Sequence, residues 1–276
     1  MARPKLHDVV PESVFQKILV LQAKARVISD VLRSREHILY QSHMRAYTTL
    51  LSHILASNPA ISGYVELHRS YRHPADLVIM RQQVRALSGP GIAGSRYTLD
   101  KLLHNGNGVS AEVGTSGDVK SIFALRLPQD TLPSIVEMVR RTGETVPYAT
   151  PQGATSYYVN RVQRLAHEAA NTDQSFYFDA ETIVDDPDRL LAALTGFLDL
   201  KTDLSTEYET FEQTGQEGSG DPSTNIQSGT IVRNRERPKV DFPQDLIREA
   251  TDAYHLARQA LLVACSHTVT TVGVSE

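Results

Sequence analysis

Two short segments of this chain carry residues suited to gripping an anion. The first, Ser42-His43-Met44-Arg45-Ala46-Tyr47-Thr48-Thr49-Leu50-Leu51, lies where a β-prone run gives way to a helical pattern. N–H groups and the positive dipole end at a helix start bind anions, the hydroxyls of Thr48 and Thr49 can donate, and Arg45 supplies a fork of charge. The chemical reading is a phosphate or sulfate cradle, with plain helix capping as the alternative. It is not a G-x-x-x-x-G-K-[ST] loop, and no lysine occupies it, which weakens an ATPase reading. In the second segment, Arg126-Leu127-Pro128-Gln129-Asp130-Thr131-Leu132-Pro133-Ser134, an arginine leaves a strand and a serine eight residues later opens the next helix. Together they can clamp one phosphate from two sides, against the alternative of a surface arginine and a capping serine.

The elements that must position these segments follow from periodicity. Ser13 to Leu32 has helical spacing after Pro11, an opening extension before residue 36. His37 to Tyr40 reads as a strand, Thr48 to Ser57 as a helix, Gly63 to Glu66 as a second strand and Asp76 to Ala86 as a helix. Leu87 to Ser95 is rich in glycine and serine and reads as a surface loop. Ser121 to Leu125 is the clearest buried strand, and Ser134 to Arg140 resumes helical spacing after Pro128 and Pro133. Tyr157 to Ala170 reads as a helix, Ser175 to Phe178 as a strand, Asp188 to Leu200 as a helix and Asp245 to Ala264 as a last helix. Thr214 to Ser228 begins a long loop over residues 214–240. Strands alternating with helices predict an α/β fold, a single domain with a central parallel sheet, helices on both faces and a crevice at the strands' carboxyl ends.

Composition limits the partners. The 276 residues suit one large α/β domain. Twenty-eight basic against 32 acidic residues, a net charge of -4, argue against a duplex nucleic-acid binder with a broad basic face. A single cysteine, Cys265, fits a reducing compartment, so the cytoplasm is expected, and no stretch approaches the length of a membrane span. A homodimer is among the expectations. The ten histidines are scattered without an H-E-x-x-H, and His68 with His73 makes a poor ligand pair, so no metal is required.

The two anion segments together resemble the PAPS-dependent sulfotransferase family, PAPS being 3′-phosphoadenosine 5′-phosphosulfate. The family's R-S-G-T-T-x-L element holds the 5′-phosphosulfate and its later R-x-P-x-D-x-x-x-S element the 3′-phosphate. Arg45, Thr48, Thr49 and Leu51 fit the first pattern, and Arg126, Pro128, Asp130 and Ser134 the second in register. Phe178 to Pro187 with Phe197 to Leu200 is similar to the family's Y-E-D-L-x-x-D-P and F-L-G-L scaffold, and Gly220 to Ile231 to the late loop of bacterial members, with Ser228 and Gly229 nearest the nucleotide. The likeness covers roughly Ile38 to Ile231 and implies the P-loop-like fold of that family. One departure is Ala46-Tyr47 in place of Ser-Gly, which brings a bulky ring where glycine lets the backbone approach the anion.

The resemblance implies in-line transfer of a sulfuryl group from PAPS, leaving PAP (3′-phosphoadenosine 5′-phosphate), to a hydroxyl or amine of a small-molecule, carbohydrate or natural-product acceptor. Arg45, Thr48 and Thr49 would stabilise charge on the transferred group and leaving oxygen. Glu66 is the first choice of general base, because Gly63 to His68 resembles a strand end that carries a glutamate in bacterial members, with His68 as substitute. Leu99 to Asn105 is similar to the family's D-K-x-x-x-N segment, where Lys101 would neutralise the bridging oxygen and His104 act as base. Tyr157 and Tyr158 stack on adenine, line the acceptor pocket or pack in the core. The rival readings are a non-catalytic nucleotide- or partner-binding protein on the same fold, and an ATP-dependent small-molecule kinase.

Overall fold

The computed structural model describes residues 36–88, 95–212, 214, 225–233 and 240–271. The expected opening helix, most of the Leu87 to Ser95 loop and most of the Thr214 to Ser228 loop lie outside the described residues. In chain order the elements are β1 Glu36–Gln41, α1 Thr48–Ala56, β2 Ile61–Ser62, α2 Pro74–Ser88, β3 Tyr97–Leu102, α3 Ala111–Gly114, β4 Val119–Leu125 and α4 Pro128–Thr142. There follow α5 Pro151–Ala169, β5 Ser175–Asp179, α6 Thr182–Asp185, α7 Pro187–Phe197, α8 Gln244–Ala264 and β6 His267–Val269. Short 3₁₀ turns stand at Pro147–Ala149 and Ile226–Ser228.

All six strands run parallel in the order β2-β3-β1-β4-β5-β6. Parallel strands buried on both faces read as continuous apolar runs, as β4 does, and alternate residues then feed opposite layers. Ile122 and Ala124 join Ile38, Phe176 and Phe178 in a core with Leu50, Leu51 and Ile54 of α1 and Leu190, Leu191 and Leu194 of α7. Phe123, Leu125 and Tyr177 face the other way, onto Leu132 and Ile135 of α4, Tyr158 and Val162 of α5, and Tyr254 and Leu261 of α8. The helices therefore cover both faces of one sheet.

The topology fixes where a ligand can sit. After β1 the chain goes to one face through α1, and after the neighbouring β4 it goes to the other through α4. Adjacent strands whose connections diverge leave a crevice at their carboxyl ends. The segments carrying Arg45 and Arg126 are those two connections.

Two sequence expectations are corrected and two strands are added. Gly63 to Glu66 is not a strand; the strand is Ile61–Ser62, and Gly63 at φ +103 passes so close to β3 that a Cβ there would lie 2.2 Å from the Leu99 carbonyl oxygen. Ser134 does not open a helix, because α4 begins at Pro128, whose fixed φ suits a first turn, and Ser134 lies in the second turn after the internal Pro133. Strands β3 and β6 were not anticipated. The first carries Asp100 and Lys101 within a fully buried run, and the second is a short edge strand of His267, Thr268 and Val269.

Candidate anion-binding site

Between Gln41 and Thr48 the chain turns sharply, with Arg45 at φ 64 and Tyr47 at φ 57. A residue with a Cβ pays about 1–2 kcal/mol in this left-handed region, so surrounding contacts must hold it there. They do. The Arg45 Nε donates to Ser134 Oγ at 2.9 Å, Arg126 Nη1 donates to the Arg45 carbonyl at 2.8 Å, and the Arg126 guanidinium lies 4.3 Å from the centre of the Tyr47 ring. The Ala46-Tyr47 departure thus keeps a glycine-like backbone and places an aromatic face against one of the two arginines.

Tyr47, the N-cap, contributes no side-chain hydrogen bond to α1, and its first turn contains no acidic residue. Its positive end is therefore not offset by a carboxylate of its own. Arg126 Nε is buried and has no hydrogen-bond partner, which leaves a donor beside Ser134 and Arg45 in want of an acceptor. A buried, unsatisfied guanidinium N–H, two arginines and an uncapped helix start form a donor set that fits a phosphate or sulfate group.

Arg126 itself is held by its backbone. Its N–H donates to His43 Nε2 at 3.0 Å, its carbonyl accepts from Tyr158 Oη at 2.6 Å, and the next N–H, of Leu127, donates to Glu181 Oε1 at 2.9 Å. Since Nε2 accepts, the His43 proton sits on Nδ1, which donates to the Met44 carbonyl at 2.9 Å. Burial pushes His43 down to about 3, with the Arg126 and Arg161 charges acting the same way, so the ring is neutral. One imidazole thereby ties both anion segments together.

A second group of side chains adjoins the first. Tyr157 Oη accepts from the Met44 N–H at 2.8 Å and donates to the Leu103 carbonyl at 2.7 Å, so the neighbours of Arg45 and His104 share one oxygen. The fully buried Arg161 donates to the carbonyls of Ser42 at 2.8 Å and Leu102 at 2.6 Å, drawing the ends of β1 and β3 together. Beside this junction, Glu66 Oε1 lies 3.6 Å from His68 Nδ1 and 3.7 Å from His104 Nε2 and accepts from the Leu103 N–H at 3.4 Å. Burial lowers the His104 pKa, against the opposing pull of Glu66. Asp100 fixes this segment from beneath, accepting from Tyr71 Oη at 2.6 Å and the Leu67 N–H at 2.9 Å, and burial pushes its carboxyl up to about 7.

The expected site residues thus divide into groups. Arg45, Tyr47, Arg126 and Ser134 share one turn-to-turn contact, while Ala46 is buried in the core beneath the first turn and Thr48 and Thr49 open α1 beside it. Glu66, His68 and His104 form another. Lys101 is almost fully buried on β3, its alternation shared with Tyr97 and Leu99, which pack in the α1 layer, and its charge lowers the pKa of His53 on α1. It therefore faces α1 and not Asp100. Among the described residues, Ser228 Oγ donates to the Asn225 and Thr230 carbonyls, and the Gly229 carbonyl accepts from the Tyr208 N–H. His73 pairs with Glu112 and stands apart from His68.

Sequence reasoning missed His43, Arg161 and Glu181 as parts of the site; of its readings for Tyr157 and Tyr158, core packing holds, and their hydroxyls in addition bond to the backbone of the surrounding turns. The only signal for His43 was its place in the first segment. No helix among the described residues is long and apolar enough to cross a membrane.

No family model matches the chain, and no curated protein matches it. Among solved structures, the sulfotransferase domain from the curacin biosynthetic pathway is similar over 80% of this chain and 98% of its own length, at 16% identity and a TM-score of 0.54. The sulfotransferase domain from the Synechococcus PCC 7002 olefin synthase aligns over 79% of this chain and 94% of its own, at 18% identity and a TM-score of 0.48. The first of these likenesses carries a conclusion about architecture: the chain has the α/β fold of a sulfotransferase domain, with a parallel six-stranded sheet between helical layers.

Proposed function

We propose that this protein is a sulfotransferase that takes a sulfuryl group from PAPS and passes it to a hydroxyl or amine of a small-molecule, carbohydrate or natural-product acceptor, in the cytoplasm. The observation that carries the reading is the meeting of Arg45, Ser134 and Arg126 across the crevice between β1 and β4. The turns at Arg45 and Arg126, 81 residues apart, meet there and together present the donors that a ligand with two anionic ends would take.

PAPS supplies an activated sulfuryl group on its 5′-phosphate, and everything else falls to the chain. The α1 start, Arg45 and the hydroxyls of Thr48 and Thr49 hold the 5′ end, while Arg126 and Ser134 hold the 3′-phosphate. The acceptor oxygen bonds to sulfur as the sulfur–phosphate oxygen bond breaks, and that electron pair leaves with PAP. The α1 dipole and Lys101, which faces α1, offset the charge that builds there. The acceptor's proton goes to the Glu66–His104 pair. His104 is neutral at pH 7, since burial lowers its pKa, and the adjacent carboxylate stabilises the imidazolium that forms.

A thermal-shift comparison tests the reading. PAPS or PAP raises the melting temperature and ATP with magnesium does not; the reverse result favours a kinase. Stabilisation by PAP with no transfer from PAPS to any acceptor in a broad panel favours a binding protein on the same fold.

A further inference from the structure

Glu66, His68 and His104 present one carboxylate oxygen and two imidazole nitrogens, all within 4.8 Å of one another. Two imidazoles and a carboxylate, with further positions left to water, are a ligand set that zinc accepts. At metal–ligand bonds of about 2.1 Å, tetrahedral ligand atoms stand about 3.4 Å apart. The 3.6 Å and 3.7 Å separations from Glu66 Oε1 exceed that by a few tenths of an ångström. The His68 side chain is 58% exposed, so it closes the remaining gap by rotating into contact at little cost.

The backbone favours the same arrangement. His68 sits at φ 53, a left-handed conformation that its chain holds while the ring is turned back towards Glu66. The turn is anchored by Asp100 through the Leu67 N–H, and Glu66 Oε1 is oriented by the Leu103 N–H. Among the described residues, Glu66 is the one ionic partner found for either imidazole. Arg161, whose charge reaches His104, weakens cation binding, and the Glu66 carboxylate offsets it.

We propose that Glu66 Oε1, His68 Nδ1 and His104 Nε2 bind one divalent cation of the zinc class, with the remaining coordination positions open to water. Occupancy takes up the lone pair of His104 that would receive the acceptor's proton, so the ion inhibits transfer. That consequence alone rests on the sulfotransferase reading; the binding itself does not.

The test is calorimetric titration of the full chain, freed of metal with a chelator, with zinc chloride and without donor or acceptor, alongside the visible spectrum of the cobalt(II) form. The expected result is one ion per chain, a cobalt spectrum of low coordination number, and affinity weakened about tenfold or more by both His68→Ala and His104→Ala but not by His73→Ala. His68 is exposed, so its replacement leaves the fold intact. Absence of a one-ion isotherm, or weakening by less than about tenfold in either ligand variant, overturns the proposal. Zinc binding as expected without inhibition of an active enzyme would instead count against the assignment of the base.

Discussion

Arg45 Nε donates to Ser134 Oγ across 2.9 Å, joining residues 89 positions apart in the chain. The bond brings the loop after β1 against the second turn of α4, so the two candidate anion-binding segments form one surface. It predicts a coupling. Ser134→Ala weakens binding of PAP by about 10- to 100-fold, the value of one hydrogen bond to a charged group. In a double-mutant cycle with Arg45→Ala, calorimetry gives an effect well short of the sum of the two single changes.

Tyr47 carries a strained backbone and a useful ring at once. Its left-handed φ costs about 1 kcal/mol or more, and its contact with Arg126 returns about 0.5–1 kcal/mol. Tyr47→Gly removes both and changes stability by less than about 1 kcal/mol. Tyr47→Ala keeps the strain and loses the ring, so denaturant unfolding places it about 0.5–1 kcal/mol below the parent.

The Glu66 and His104 side chains meet at 3.7 Å, in a group distinct from the Arg45–Ser134–Arg126 contact. Replacing either therefore separates chemistry from binding. Glu66→Gln and His104→Ala lower the turnover number by about 10²–10⁴, the usual worth of a general base, while PAP affinity changes by less than about threefold. A parallel loss of PAP affinity would place these groups in the nucleotide site.

Stability falls as the solution is acidified from pH 7 to pH 5. Burial holds His43 near 3 and His37 and His53 near 4, with Arg126 and Arg161 adding to the effect at His43, Arg81 at His37 and Lys101 at His53. Each histidine is neutral in the fold and takes up a proton when unfolded below about 6.5, so the unfolded chain binds more protons and gains as pH drops. Each costs about 2 kcal/mol over this range. Asp100, held near 7, works in the opposite sense, since the fold takes up a proton that the unfolded chain does not, and it returns about 2 kcal/mol. The net loss is about 3–4 kcal/mol, to be read from chemical unfolding at the two pH values.

The legible part of the fold was its apolar punctuation. β1, β4 and β5 are runs buried on both faces, and the helices between them carry a clear apolar stripe. β3 was hidden because Asp100 and Lys101 interrupt its apolar pattern, yet both are buried, Asp100 accepting from Tyr71 and from the Leu67 and Lys101 backbone N–H groups. Two prolines hid the start of α4, since Pro128 opens the helix and Pro133 is tolerated inside it.

At the site, Arg45, Arg126 and Ser134 were legible because the spacing of an arginine, a proline and a serine is a local pattern. His43, Glu181 and Arg161 were not, because they act on backbone carbonyls and N–H groups far away in sequence, as Arg161 does on Ser42 across 119 positions. No spacing within one segment encodes such a contact. His68 and His104 were named separately as bases, and only the fold shows that both rings turn to the same carboxylate oxygen.

The central claim is that one bisphosphorylated adenosine bridges the turns at Arg45 and Arg126, and calorimetric titration of the purified chain with PAP measures it. The account predicts one molecule bound per chain, with Arg126→Ala weakening the affinity at least about 100-fold while the circular dichroism spectrum stays that of the parent. No binding by the parent, or equal binding by the variant, would contradict it.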